Sequence, residues 1–346
     1  MERLQTDSSS DHLLYVCERQ SIVILSSRTL TQSQINIGES SSQSLRFHKS
    51  AAEEMFFAPL NITIHRRLET LAVLYHVFCF LAVPVIGIVI PLCLIFTPLC
   101  LFVILYGIWF YYDFETPFAG GRPSQNQRNC FVWRWFCNYF PIKLVKTADL
   151  SPEHNYIVGS HPHGILSLGI FASFGTNGNG FNKQFPGIKP AICTLDFNFM
   201  IPIKRELTMM SGCISVSKKS INHQLSQEKK GQAVVIVIGG AQEALDANPD
   251  NYDLTLGHRK GFVKMALAHG AHLVPVYNFG ENMTFRQLDI PIDTVVGEPI
   301  PVEKTENPTK EQIEELHKKY CDALIKLFDD HKVTYGISED TKLNIC

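Results

Sequence analysis

The hydrophobic and polar positions divide the chain into three stretches of different character. Residues 1–54 are dominated by Ser, Gln and Thr, with Ser8-Ser9-Ser10, Ser40-Ser41-Ser42 and one short apolar run from Ile22 to Leu25. Such a stretch buries too little apolar surface to offset the entropy of ordering it, and it is expected to be disordered. Met55 opens a different composition, MFFAPLNITIHRRLET, and is a candidate alternative start of translation.

From Leu71 to Tyr112 there is no Asp, Glu, Lys or Arg. A bilayer core takes about 20 apolar residues per helix, so this stretch has the length of two spans. Pro84, Pro91 and Pro98 stand where one long helix would break. The expected form is a transmembrane helical hairpin over 71–112, preceded by a juxtamembrane segment at 55–70. His65, Arg66 and Arg67 precede it, and Arg122, Arg128 and Arg134 follow, which places both hairpin ends on the cytoplasmic side. Trp109, Tyr111 and Tyr112 suit an interfacial aromatic belt.

Residues 113–346 alternate apolar runs with helical patterns. NYIVGS, AVVIVI and HLVPVYNF are continuous apolar runs of the kind found in strands covered on both faces, which predicts an α/β domain with a mostly parallel sheet. Near the end, Ile313, Leu316, Tyr320, Leu324, Leu327 and Phe328 form one helical stripe with Asn307 or Thr309 as cap. That helix is expected to pack on the sheet and carry no chemistry.

Composition narrows the class. The 346 residues are 45% hydrophobic and 18% charged, apolar-rich for a soluble protein, as a membrane segment requires. A net charge of −2 argues against nucleic acid as a partner. The ten cysteines include no C-x-x-C pair, so neither a zinc module nor a disulfide framework is indicated.

Three polar motifs each follow one of the apolar runs. HPHG (161–164) follows the first, GGAQE (239–243) the second and GEN (280–282) the third. In an open parallel sheet the ligand crevice lies beyond the carboxyl ends of the strands, so His161, His163, Glu243, Glu281 and Asn282 are expected on one edge. An imidazole titrates near neutrality and suits a general base. Pro162 aims the two rings differently, so that one faces substrate and the other supports the loop; Gly164 permits close approach to a ligand or a tight turn. A metal reading of H-x-H needs a third ligand, for which His269, His272 or Glu243 are candidates. A polar turn is the third alternative, and the general base is the favoured one. Gly239 and Gly240 suit a turn whose N–H groups face a ligand. Glu243 either orients an imidazole or satisfies free amides at a helix entry. Arg259 and Lys260, with Lys264, form a basic cluster at a helix start suited to a phosphate-bearing carrier such as coenzyme A.

FAPL and RRLETLAVL before the apolar stretch, YFP at 139–141, HPHG, FPGI at 185–188, GGAQEALDA and RKGFVKMALAHGAHLVPVYNFGEN together closely resemble the diacylglycerol acyltransferase 2 family, and within it the acyl-CoA:monoacylglycerol acyltransferases. The resemblance runs from Met55 to the C-terminus. It implies a multi-pass endoplasmic-reticulum protein that moves a fatty acyl group from acyl-CoA to a monoacylglycerol or diacylglycerol, with the lipid bilayer as partner, no cofactor, no metal, and room for a homo-oligomer. It also implies His163, ahead of His161, as general base, Glu243 as its orienting partner, and Asn282 or a glycine N–H as oxyanion donor. Two departures stand out. Phe80-Leu81-Ala82-Val83 replaces the family's F-L-x-L, and only MTFRQLDIPI separates FGEN from DTVVGEPI, where relatives carry several dozen residues. An inactive lipid-binding homologue and a metal-dependent lipid hydrolase are the competing expectations.

Overall fold

The computed structural model describes residues 62–249, 251–285 and 291–346. The extension expected to be disordered, 1–54, lies outside them, as do 55–61 of the juxtamembrane segment.

Every residue of strand β2, Tyr156–His161, is buried, because β2 sits in the middle of a seven-stranded sheet with helices on both faces. The spatial order is β1-β8-β7-β2-β5-β3-β4, where β1 is Lys143–Lys146, β3 Lys189–Thr194, β4 Cys213–Ser215, β5 Gln232–Val237, β7 His272–Phe279 and β8 Asp293–Val296. All neighbours run parallel except β7 and β8. The three apolar runs are therefore the three central strands, β7-β2-β5. Two-residue strands β6 (Asp253–Leu254) and β9 (Asn344–Ile345) pair separately.

Alternation along these strands builds two cores. Ile157, Val234, Leu273 and Val295 face one side, where the helices Gly261–His269 and Lys310–His331 cover them with Phe262, Val263, Tyr320, Leu324 and Phe328. Tyr156, Val158, Ala233, Val235, Val274 and Val276 face the other, against Ile170, Phe174, Phe181 and Phe185. A strand buried on both faces needs apolar residues at every position, which is why these runs do not alternate with polar ones. The last long helix starts as expected: Thr309 accepts from the Gln312 N–H, and the Gln312 side chain returns the bond to the Thr309 N–H.

The apolar stretch departs from expectation. One helical run, Ile64–Leu94, is long and apolar enough to cross a bilayer, and only 11% of its most apolar 18 residues are buried. It starts at Ile64, capped by Thr63, so the expected boundary at 71 falls inside it. Pro84 and Pro91 do not break it. A π-helical turn at Phe78–Ala82 precedes Pro84, and Pro91 sits within Val83–Leu94, each proline removing one N–H donor without ending the helix. The break comes before Pro98, where the Thr97 hydroxyl donates to the Leu94 carbonyl at 2.8 Å. A second helix, Cys100–Tyr112, follows with 13 residues. The long helix is seated on the domain at its start: Ala72 joins Trp133, Phe136, Phe140 and Leu168 in a third cluster, and the Arg66 guanidinium lies 4.4 Å from the Tyr139 ring centroid.

Candidate active site

Because β7, β2 and β5 are adjacent and parallel, their carboxyl ends deliver FGEN, HPHG and GGAQE to one edge. His161 ends β2 and is fully buried, whereas His163, two residues on, is half-buried. The two rings are thus differently placed, as the intervening proline requires.

The His163 Nδ1 lies 2.8 Å from the Gly164 carbonyl. A carbonyl only accepts, so Nδ1 carries the proton and Nε2 keeps its lone pair. The His163 backbone is fixed as well: its N–H donates to Glu243 Oε2 at 2.7 Å and its carbonyl accepts from the Ser167 hydroxyl at 2.7 Å. Glu243 Oε1 accepts from the Thr255 N–H at 2.9 Å. This corrects one expectation. Glu243 does not bond the imidazole; it holds the loop backbone that carries it, and Gly164 orients the ring. Burial raises the Glu243 pKa, while the two N–H donors, His163 and Arg259 act in the opposite direction.

The structure puts the expectation for the last helix in a different light. Tyr320 reaches through the first core to the end of β2, where its hydroxyl donates to the Gly159 carbonyl at 3.1 Å and lies 3.1 Å from His161 Nε2. Its one proton being used, Tyr320 accepts from His161 Nε2–H, and His161 Nδ1 is left buried without a partner. Gly159 makes this approach feasible, since a Cβ there would stand 2.0 Å from the Tyr320 oxygen. Asn278 completes the frame: its amide donates to Ser160 Oγ at 2.8 Å and to the His161 carbonyl at 3.1 Å, and its oxygen accepts from Thr294 at 2.9 Å. Tyr320 was visible only as a core position. Asn278 and Ser160 did carry a signal, as lone polar residues at the ends of apolar runs.

Burial lowers the His161 pKa to about 3, against 6.5 for a free imidazole. Between those values the unfolded chain binds more protons than the native one, so this group's contribution is intact above about pH 6.5 and is lost as the pH falls toward 3. Thermal unfolding across that window should show a midpoint that declines with acid, and a shallower decline in His161→Gln. Equal slopes in the two proteins would assign the acid sensitivity elsewhere.

Glu281 is buried, and its two oxygens accept from the Leu168 and Gly169 N–H groups at 2.7 and 2.9 Å. It anchors the segment after HPHG, and burial pushes its pKa up to about 7 against the pull of those two amides. Gly164, at φ 58°, forms the tight turn, and a Cβ there would meet Glu281 Cγ at 2.5 Å. Gly239 packs directly on the Glu243 carboxylate and Gly240, at φ 66°, opens the short helix Gly240–Leu245. One N–H of the Asn282 amide donates to the Asn251 carbonyl at 3.1 Å, and its second N–H is left for another acceptor. Lys260 pairs with Glu314, its ammonium 2.6 Å from Oε2, while Arg259 and Lys264 are exposed. His269 bonds Asn222, and His272 opens β7 at the end opposite to His161, stacked on His154. Neither is brought to the H-x-H pair. On the β7–β8 side of Pro162 lies a cavity of about 780 Å³ lined by Lys143, Tyr277, Asn278, Asn282 and Tyr335 among others.

Comparison with known proteins bears on the same residues. The family described as "Diacylglycerol acyltransferase" matches residues 92–293 and 288–346, two pieces that meet just after the FGEN motif. The 2-acylglycerol O-acyltransferase 1 of Bos taurus is 45% identical over 341 residues, covering 83% of this chain and 98% of that protein. An alignment of that length over that share of this chain leaves residues of the relative with no counterpart here. The human diacylglycerol O-acyltransferase 2 is 40% identical over 324 residues, covering 82% of this chain and 84% of that protein. Among solved structures, the 1-acyl-sn-glycerophosphate acyltransferase PlsC of Thermotoga maritima covers 76% of this chain and 96% of its own at 11% identity and a TM-score of 0.38. With the family's pattern spanning most of its length and relatives this similar over more than four-fifths of it, the chain belongs to the diacylglycerol acyltransferase family.

Proposed function

We propose that this chain transfers a fatty acyl group from acyl-CoA to a free hydroxyl of a monoacylglycerol, giving diacylglycerol and CoA. The observation that carries the reading is the half-buried His163 ring, whose Nδ1–H is committed to the Gly164 carbonyl and whose Nε2 is free to take a proton. His163 Nε2 removes the acceptor's hydroxyl proton as the oxygen attacks the thioester carbonyl; the tetrahedral oxyanion collapses, the C–S bond breaks, and the proton passes from His163 to the departing thiolate. Backbone N–H groups of the Gly239–Gly240 turn, or the second N–H of the Asn282 amide, are the oxyanion donors in this scheme. Arg259, exposed beside Glu243, is the cation for the CoA phosphates. No metal or other cofactor takes part.

The apolar helices Ile64–Leu94 and Cys100–Tyr112 anchor the chain in the endoplasmic-reticulum membrane as a hairpin with both ends cytosolic, the arginines on either side supporting that orientation. Membranes containing the full chain, given labelled oleoyl-CoA, are expected to form diacylglycerol from monoacylglycerol. Triacylglycerol from diacylglycerol as the main product would instead make this a diacylglycerol acyltransferase. A second reading, an inactive lipid-binding homologue, is favoured by the two-piece family match around residue 288. It predicts no product with any acceptor, including long-chain alcohols.

A further inference from the structure

The sheet edge that carries His163 is apolar where it meets solvent. After β2, Ile165 and Leu166 are exposed; after β3, Leu195 and Phe197 are each 67% exposed and Ile203 is exposed; after β4, Val216 is exposed. With β5 between β2 and β3, these segments all leave the carboxyl ends of one half of the sheet. Scattered exposed apolar residues need no explanation, but a group gathered on one functional edge marks a binding surface.

What covers this surface follows from its continuity with the long apolar helix. Gly87 of that helix packs on the loop after β3 so closely that a Cβ would stand 2.2 Å from the Pro202 carbonyl oxygen. About two turns earlier in the helix, the ring centroid of Phe80 lies 5.3 Å from the Lys204 ammonium. The loop that exposes Phe197 and Ile203 thus packs against the long apolar helix. Lys204 and the exposed Lys218, just beyond Val216, place ammonium groups beside the apolar positions, the arrangement that lets lysine stems lie in the interface while their heads stay wet.

We propose that this edge is itself a membrane-binding face. Phe197 and its neighbours lie among the acyl chains of the same bilayer leaflet, His163 opens on the lipid phase, and a glycerolipid acceptor reaches it laterally without crossing water. The identity of the acceptor rests on the acyl-transfer reading; the contact with the bilayer does not.

The test uses the full chain in phosphatidylcholine vesicles, with Phe197→Trp compared with the unaltered protein, so that the emission added by the new tryptophan is isolated. Brominated acyl chains are expected to quench the added emission, and aqueous iodide to leave it unchanged. Quenching by iodide alone overturns the proposal, and quenching by neither overturns it in favour of a second copy or another protein on this face. In a parallel assay, Phe197→Glu is expected to lower transfer to a long-chain monoacylglycerol dissolved in the bilayer by about tenfold or more, and to spare transfer to a short-chain, water-soluble one. Equal losses on both acceptors contradict lateral entry. If the unaltered protein transfers to neither acceptor, the acyl-transfer reading fails while the quenching result still decides the membrane face.

Discussion

His163→Ala is expected to lower kcat for acyl transfer by about 10²–10⁴-fold, the usual worth of a positioned general base, and to leave the thermal unfolding midpoint almost unchanged. The ring is half-buried and makes one hydrogen bond, to the Gly164 carbonyl, so its removal opens no core cavity. His163→Gln should lose as much, because an amide cannot take the proton. His161→Ala makes the contrast. That ring is fully buried between the end of β2 and Tyr320, and its loss opens a void and removes the donor to the tyrosine oxygen, which keeps only its bond to the Gly159 carbonyl, so stability and activity fall together. Kinetics and melting curves on the two variants separate the base from the buried support. A His163→Ala enzyme with near-normal kcat removes the proposed mechanism.

Glu243→Ala is expected to damage both measures. The carboxylate accepts the His163 and Thr255 N–H groups at 2.7 and 2.9 Å, and each buried donor left without a partner costs about 1–3 kcal/mol. The melting midpoint should fall by several degrees, about what one or two such losses produce in a domain of this size, and kcat should fall by about tenfold or more as the loop loses its register. Glu243→Gln retains one carbonyl acceptor and should recover part of both. If Glu243 instead acted on the imidazole through its charge, Gln would be as poor as Ala in kcat and neither would shift the melting midpoint. That outcome would contradict a positioning role.

Much of the architecture was legible in the order of residues because burial leaves a pattern. NYIVGS, AVVIVI and HLVPVYNF could be read as strands since a strand covered on both faces has no polar positions, and these proved to be the three central ones. Strands β1, β3 and β4 were not readable, being short or opening on a lysine and a proline. The convergence of HPHG, GGAQE and FGEN followed from strand-end placement alone.

The individual roles did not, because they depend on which atom a side chain reaches. Glu243 was expected on a ring and bonds a backbone N–H; Lys260 was expected on a phosphate and faces Glu314; Tyr320 was one of six positions on a stripe and ends beside His161. Each is a tertiary contact between segments 54 or more residues apart, for which no local periodicity exists. The prolines mislead for a related reason. A helix in an apolar setting tolerates a missing N–H when a π-turn one step earlier takes up the mismatch, as Phe78–Ala82 does before Pro84.

The most direct test of the account is transfer of labelled oleate from oleoyl-CoA to monoacylglycerol by the purified full chain in vesicles, side by side with His163→Ala. The account predicts diacylglycerol from the unaltered protein and background levels from the variant. Product at equal rates from both, or none from a folded, membrane-inserted unaltered chain, would contradict it.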